Sequence, residues 1–253
     1  MFNNQLLSRI LDIGEQMLIS GAEISRVEDS ISRMCTAYQV KRVDVLTITS
    51  VIQVSVHLEN GEVFTQSRRI RAYATNLNKL DKLNKLSRNI CSSLPDLVYI
   101  DKELEEINKE QPYSQYAHYL IYALVAGSFT IFFGGNMADG LASAMIGMLL
   151  KFLVNAAQKV DKNLLMINIF CSFAVGAVAI FAVQWGFGNN LEKILIGNIM
   201  LMIPGLALTT SIRDMISGDT ISGLLRFSEA ILLATSIALG FGLAEILFGG
   251  RLV

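Results

Sequence analysis

Residues 109–135 read KEQPYSQYAHYLIYALVAGSFTIFFGG, and this stretch decides the fold. Before it the chain has the charge density of a soluble domain. Within it the charges stop, and aromatic and aliphatic residues run on to Gly134-Gly135-Asn136. Counting outward, residues up to Ser114 hold 14 Lys/Arg, 15 Asp/Glu and 3 Gly, whereas Gln115 to Val253 hold 7, 7 and 16. Lipid rejects charge, and close helix packing in lipid uses small residues. The composition therefore predicts a cytoplasmic α+β domain over 1–114 and a transmembrane helical domain over 115–253. The 253 residues are 52% hydrophobic with a formal charge of −1, and the mean hydropathy is +0.46. Those values exclude a disordered chain and a nucleic-acid-binding arm. Met1 to Leu18 is amphipathic rather than basic and then apolar, which argues against a cleaved signal peptide.

The second half divides into about five apolar segments, each near the roughly 20 residues needed to cross a bilayer. They are Tyr119–Phe133, Ala138–Val154, Leu164–Trp185, Ile194–Ile212 and Phe227–Phe248. With the N-terminal domain in the cytoplasm, the inner side receives Lys151, Lys159, Lys162, Arg213 and Arg226. The outer side receives Lys193 and Arg251. That bias favours a multi-pass inner-membrane protein with a cytoplasmic N-terminus. Lys151 is expected to snorkel toward the inner headgroups. Small residues recur at four-residue spacing in Gly140/Ala144, Ser143/Gly147 and Ala234/Ala238/Gly242. These stripes predict closely packed helices.

In the first half, Leu6, Ile10, Ile13 and Met17 define a helix over Asn3–Ile19. Ser20-Gly21-Ala22-Glu23 has a capping-box pattern that would open a second helix with the stripe Ile24, Val27, Ile31, Met34 and Tyr38. The period then changes to two. Ile52, Val54, Val56 and Leu58 alternate with polar residues, and Asn60-Gly61 predicts a two-residue hairpin turn into Val63-Phe64-Thr65. A strand over Val43–Ser50 is expected before it. Leu77, Leu80, Leu83, Leu86 and Ile90 line a third helix, and Asp101–Lys109 forms a shorter charged one.

The stretch ILIGNIMLMIPGLALTTSIRDMISGDTISGLLRFSEA, Ile194 to Ala230, carries the functional signal. Pro204 removes a backbone donor in mid-helix and Gly205 follows it, which predicts a kink. Asn198 brings an amide to mid-depth, and Thr209 and Thr210 add hydroxyls. Arg213, Asp214, Asp219 and Arg226 then crowd a loop punctuated by Gly218 and Gly223. Each feature alone is compatible with ordinary packing or interfacial anchoring. Together they resemble the kinked polar helices around which transporters build midplane sites. The candidate substrate path is therefore Asn198, Pro204, Gly205, Thr209, Arg213, Asp214, Gly218, Asp219 and Arg226.

The chain also resembles the threonine/serine exporter family, specifically its first half. Gly21-Ala22-Glu23 and Arg26-Val27-Glu28 carry the resemblance in the soluble part. Pro204-Gly205, Arg213-Asp214, Gly218-Asp219, Ser222-Gly223 and Arg226 carry it in the membrane part. The resemblance implies export of a small anionic or zwitterionic metabolite, either threonine/serine or a dicarboxylate such as succinate. It also implies a split form completed by a second small multi-pass membrane subunit, with a homo-oligomer as another way to complete the path.

Two other readings fit the sequence less well. A membrane-anchored regulatory or scaffold protein would need no polar, kinked helix. A tethered hydrolase would need a constrained motif, and no G-x-S-x-G, Walker loop, dinucleotide fingerprint or H-E-x-x-H occurs. His57 and His118 lie 61 residues apart and read as surface or interfacial groups. Cys35, Cys91 and Cys171 read as reduced apolar fillers. The expected partners are thus the lipid bilayer, the second subunit and the substrate, with no nucleic acid, no metal and no cofactor.

Overall fold

A computed structural model describes residues 2–109 and 114–249. The chain divides into two compact units. One is Met1–Gln111 with Leu206–Ser228, and the other is Pro112–Gly205 with Glu229–Val253. Arg251, expected on the outer side, lies outside the described residues.

The first unit begins with α1 (Asn4–Ile19) and α2 (Ile24–Ala37), followed by β1 (Arg42–Ile48), β2 (Val51–His57) and β3 (Val63–Arg69). It continues with α3 (Leu77–Ser93) and α4 (Leu97–Lys109). The strands form an antiparallel sheet in the order β1-β2-β3, in register through Val45↔Val54 and Val54↔Gln66. The expected stripes are the core. Leu6, Ile10, Ile13 and Met17 of α1 are buried with Ile24, Val27, Ile31 and Met34 of α2. Ile52, Val54 and Val56 of β2 and Leu83 and Ile90 of α3 join them. Burial of that much branched aliphatic surface is what orders so small a sheet.

Two local expectations change. The hairpin has a three-residue loop, Glu59-Asn60-Gly61, closed by Leu58 N–H to Glu62 O at 2.9 Å. Gly61 sits at φ +86, the left-handed position that closes such a loop and that a side chain resists. Ser20 does not cap α2. It ends α1 instead, donating its N–H to Gln16 O at 3.0 Å. The N-cap of α2 is Glu23, which makes no side-chain capping bond.

In the remainder of the chain the helices are α5 (Gln115–Phe132), α6 (Met137–Val160), α7 (Leu164–Gln184), α8 (Leu191–Ile199), α9 (Gly205–Ile216) and α10 (Thr220–Phe248). Three of them, α6, α7 and α10, are long and apolar enough to cross a membrane. The 18-residue α5 opens on the polar run Gln115-Tyr116-Ala117-His118-Tyr119. The expected fourth crossing, Ile194–Ile212, is two short helices rather than one kinked helix. Nine residues of α8 span only about 14 Å. Pro204 explains the break: it has no N–H to give back to Met200, its ring crowds that carbonyl, and it drives Ile203 out of the α region.

Within the second unit, two of the small-residue stripes are packing faces. A Cβ on Gly147 would stand 2.7 Å from Tyr122 O, and one on Gly140 would stand 2.9 Å from the Ile131 side chain. The third stripe is displaced. Gly242 has open space beside it, and the packed face of α10 runs instead through Ile237, Gly240, Phe241 and Ala244. Gly240 abuts Ser172, and Phe241 and Ala244 abut Gly176 of α7. Lys151 finds a ring within its own unit, with Nζ 5.3 Å from the Tyr122 centroid.

Candidate functional site

In the first unit, α2 begins without a side-chain cap of its own, so its leading N–H groups need an acceptor. The acceptor comes from 190 residues away. Asp214 on α9 takes the Ile24 N–H at 3.0 Å on Oδ1. Its Oδ2 receives Arg226 Nη1 of α10 at 3.2 Å. The same Nη1 reaches Ala22 O at 3.3 Å, and the guanidinium lies 4.9 Å from the Tyr73 ring centroid. Asp214 is 0% exposed and Arg226 8%. The pair is thus a desolvated ion pair seated on a helix N-terminus, where the backbone dipole favours the carboxylate. Arg226 Nη2 has no hydrogen-bond partner among the described residues, but the Tyr73 ring offers its guanidinium a π face.

A second layer surrounds this pair. Arg213, exposed, is ion-paired with Glu23. Gly218 turns the chain at φ +103, and Asp219 donates its N–H to Asp214 O at 2.9 Å. Glu28 of α2 accepts the Thr47 N–H at 2.6 Å. Burial pushes the Glu28 carboxyl above its ordinary range, and the negative charge of Asp219 pushes it in the same direction. Burial likewise raises the Asp219 carboxyl.

Of the nine expected path residues, the structure brings Arg213, Asp214, Asp219 and Arg226 together, with Gly218 making their turn. Thr209 lies exposed on α9, while Asn198, Pro204 and Gly205 belong to the second unit. Sequence reading missed Glu23, Tyr73 and the Ala22 carbonyl as participants. Ala22 and Glu23 stood within the motif that carried the family resemblance, but Tyr73 had no signal.

The second unit has its own polar cluster. Asp139, 0% exposed, shares a capping box with Asn136 at the start of α6. Its carboxylate also receives the N–H groups of Asn189 at 2.6 Å and Asn190 at 3.0 Å, and Asn190 Nδ2 at 2.8 Å. Asn136-x-x-Asp139 was a readable helix start, but the tie to α8 was not. Asn198 is fully buried and donates from Nδ2 to Ser143 Oγ at 3.0 Å. The cysteines are free, and burial pushes the Cys35 thiol up to about 12, consistent with an inert filler.

Comparison with known proteins covers most of the chain. The model of the family described as "Putative threonine/serine exporter" matches residues 8–248. The "Threonine/serine exporter" of Corynebacterium glutamicum is 24% identical over 244 residues, covering 91% of this chain and 49% of the relative. The "Probable threonine/serine exporter" of Mycobacterium tuberculosis is 22% identical over 240 residues, covering 93% and 45%. The chain therefore spans about half the length of these two relatives. The "Probable succinate transporter subunit YjjP" of Escherichia coli is 24% identical over 251 residues, covering 95% of this chain and 94% of the relative. No solved structure matches.

Proposed function

This chain belongs to the threonine/serine exporter family, a family of membrane transporters rather than enzymes, and from that premise we propose that it is one subunit of a secondary exporter of small polar metabolites. The observation that carries the reading is the interruption of an apolar segment at Met200–Pro204, between α8 and α9, with the buried amide of Asn198 beside it. Discontinuous helices with polar groups at the break are how secondary transporters build sites in lipid. The relatives named as transporter subunits match this chain nearly end to end, which supports a complex with a second small membrane subunit.

In this reading the chain crosses the inner membrane about five times. The α+β domain over residues 1–114, with the N-terminus, faces the cytoplasm. The substrate is a small anionic or zwitterionic metabolite, serine, threonine or succinate, whose carboxylate is drawn to Arg213 or Arg226. An Arg fork binds a carboxylate bidentately in a way that Lys does not reproduce. Asn198, Pro204, Gly205, Thr209, Asp214, Gly218 and Asp219 complete the path.

The test is efflux from vesicles loaded with labelled serine, threonine or succinate. The vesicles carry this chain alone, this chain with a candidate second subunit, or neither. Efflux of one substrate with both chains, and little with one, is the expected result. No efflux of any of the three with both chains inserted sinks the reading. Arg226→Lys, present at normal membrane levels, is expected to slow export. Labelling from each side should find Lys159 and Asp219 inside and Gly135 outside.

A further inference from the structure

Of Arg26-Val27-Glu28 on α2, Val27 is buried in the core and Glu28 receives the Thr47 N–H. Arg26 is exposed, and among the described residues no carboxylate stands within ion-pair distance of it. It lines a cleft of about 490 Å³ between α2 and α3, wholly within the first unit. Arg26, Ser30 and Arg33 follow at i, i+4 and i+7 along α2. Ser87, Arg88 and Cys91 follow at i, i+1 and i+4 along α3. Spacings of three and four hold side chains on one helix face, and the cleft sets the two faces against each other.

Three guanidinium groups thus share one cleft with a single aspartate, Asp29. Asp29 is committed to Arg33, accepting its Nε at 2.8 Å within α2. Arg88 has no carboxylate within ion-pair distance among the described residues. Asp81, whose carboxyl feels the Arg88 charge, is itself bonded to Lys85 at 2.6 Å. The lining therefore carries a surplus of two positive charges. The helices are close enough for charge on one to act on the other: burial raises the Cys91 thiol, and Arg33 across the cleft opposes that rise. Like charges gathered in this way repel, and an anion between them relieves the repulsion. Ser30 adds a hydroxyl from α2. Ser87 Oγ, which donates to the Asn84 carbonyl at 3.2 Å, can turn to a stronger acceptor.

We propose that this cleft binds the phosphate of a phosphomonoester, held between Arg26 of α2 and Arg88 of α3, with Arg33 and the Ser30 hydroxyl beside it. A phosphomonoester carries a charge of roughly −1.5 to −2 near neutral pH and presents three acceptor oxygens. It matches the surplus charge and serves two arginine forks at once, which a single carboxylate does not. The cleft is larger than a phosphate ion and leaves room for an organic body. None of the expected path residues lines it. The same α2 gives its Ile24 N–H to Asp214 of α9, so a ligand that ties α2 to α3 also bears on that contact. The assignment does not depend on the exporter reading. The phosphate belongs either to a soluble metabolite or to a lipid headgroup.

Cys91 gives a readout at the cleft itself, because Cys35 and Cys171 are fully buried. The full chain, purified in detergent, is alkylated with N-ethylmaleimide in glycerol 3-phosphate, succinate or chloride at equal ionic strength. Peptide mass spectrometry identifies the modified position. Glycerol 3-phosphate is expected to slow Cys91 modification saturably. Arg26→Gln and Arg88→Gln should each raise the half-protecting concentration about tenfold, as loss of one charged hydrogen bond would. Arg42→Gln removes an equal charge from β1, outside the cleft, and should leave that concentration unchanged.

The same labelling in phosphatidylcholine vesicles, with and without phosphatidic acid, separates the two sources. Protection confined to vesicles with phosphatidic acid assigns the phosphate to a lipid headgroup, and protection by glycerol 3-phosphate assigns it to a soluble metabolite. Protection by neither overturns the site. Succinate protecting as well as glycerol 3-phosphate overturns the choice of phosphate, and an equal loss in Arg42→Gln reduces the effect to bulk charge and overturns the cleft.

Discussion

The two units each bury a carboxylate at the start of a helix distant in sequence, and they balance it in opposite ways. Asp214 sits on the first N–H of α2 and is answered by a full positive charge, Arg226. Asp139 sits on the N–H groups leading into α8 and is answered by neutral donors alone. An ion pair as buried as Asp214 and Arg226 holds only while both partners are present, since either one alone is an uncompensated charge. In the second unit, among the described residues, backbone amides and one asparagine do the work without any counter-charge. The first arrangement fails if either partner is lost, and the second spreads its dependence over four donors.

The sharpest way to break this contrast is Asp139→Leu. Removing that carboxylate orphans four N–H donors in the interior, at roughly 1 kcal/mol or more each. A loss of about 4 kcal/mol or more is expected, read as failure to recover monodisperse protein or as a collapsed unfolding midpoint. Near-parental recovery would mean that the α6–α8 tie is incidental.

Arg226→Met ranks next. It leaves Asp214 buried beneath α10 without its counter-charge, and breaking such a pair costs about 3 kcal/mol. The double variant Asp214→Leu/Arg226→Met should recover most of that stability while abolishing export. A double variant as unstable as the single one would show that Asp214 serves α2 more than Arg226.

Several of these contacts were beyond reach of sequence pattern. Leu6, Ile10, Ile13 and Met17 declared α1 because their spacing repeats every turn, and β2 declared itself through alternation. The start of α2 did not. Ser20 and Glu23 matched a local capping pattern, yet the acceptor was Asp214, and nothing in a short window signals a partner that far away. Ala234/Ala238/Gly242 failed for a related reason. In a helix apolar on every side, periodicity cannot say which face packs, and Gly240 proved to be the close-approach residue. Pro204 was read correctly as a disruption but underestimated. The clustering of Arg213, Asp214, Asp219 and Arg226 was legible because their spacing is short; Tyr73, brought in only by folding, was not.

Smaller effects sharpen the comparison further. Glu23→Gln removes the partner of an exposed arginine, so a cost below about 1 kcal/mol is expected, with the unfolding midpoint nearly unmoved. If that variant were as damaging as Arg226→Met, the outer pair would belong to the buried lock. The smallest effect is on acid response. Glu28 and Asp219 both have carboxyls raised in the folded state, so the native chain holds their protons more tightly than the unfolded chain does. Stability should therefore decline as pH rises from the ordinary carboxyl range through the raised folded values. Glu28→Gln should flatten that slope in a pH series of unfolding midpoints. An unchanged slope would assign the titration elsewhere.

The bond from Ile24 to Asp214 also has a schedule. A chain made at about 5–20 residues per second leaves the first helices waiting roughly ten to forty seconds before the residue that completes them exists. During that interval the ribosome is still delivering the apolar helices to the membrane. The N-terminal sheet and helices can collapse at once, but α2 holds an unanswered amide until nearly the whole chain has been inserted. Correct insertion is thereby written into the stability of the part made first: a chain whose later helices are misplaced never supplies Asp214. Such a chain is left with a frayed helix start, which cellular quality control would have reason to notice.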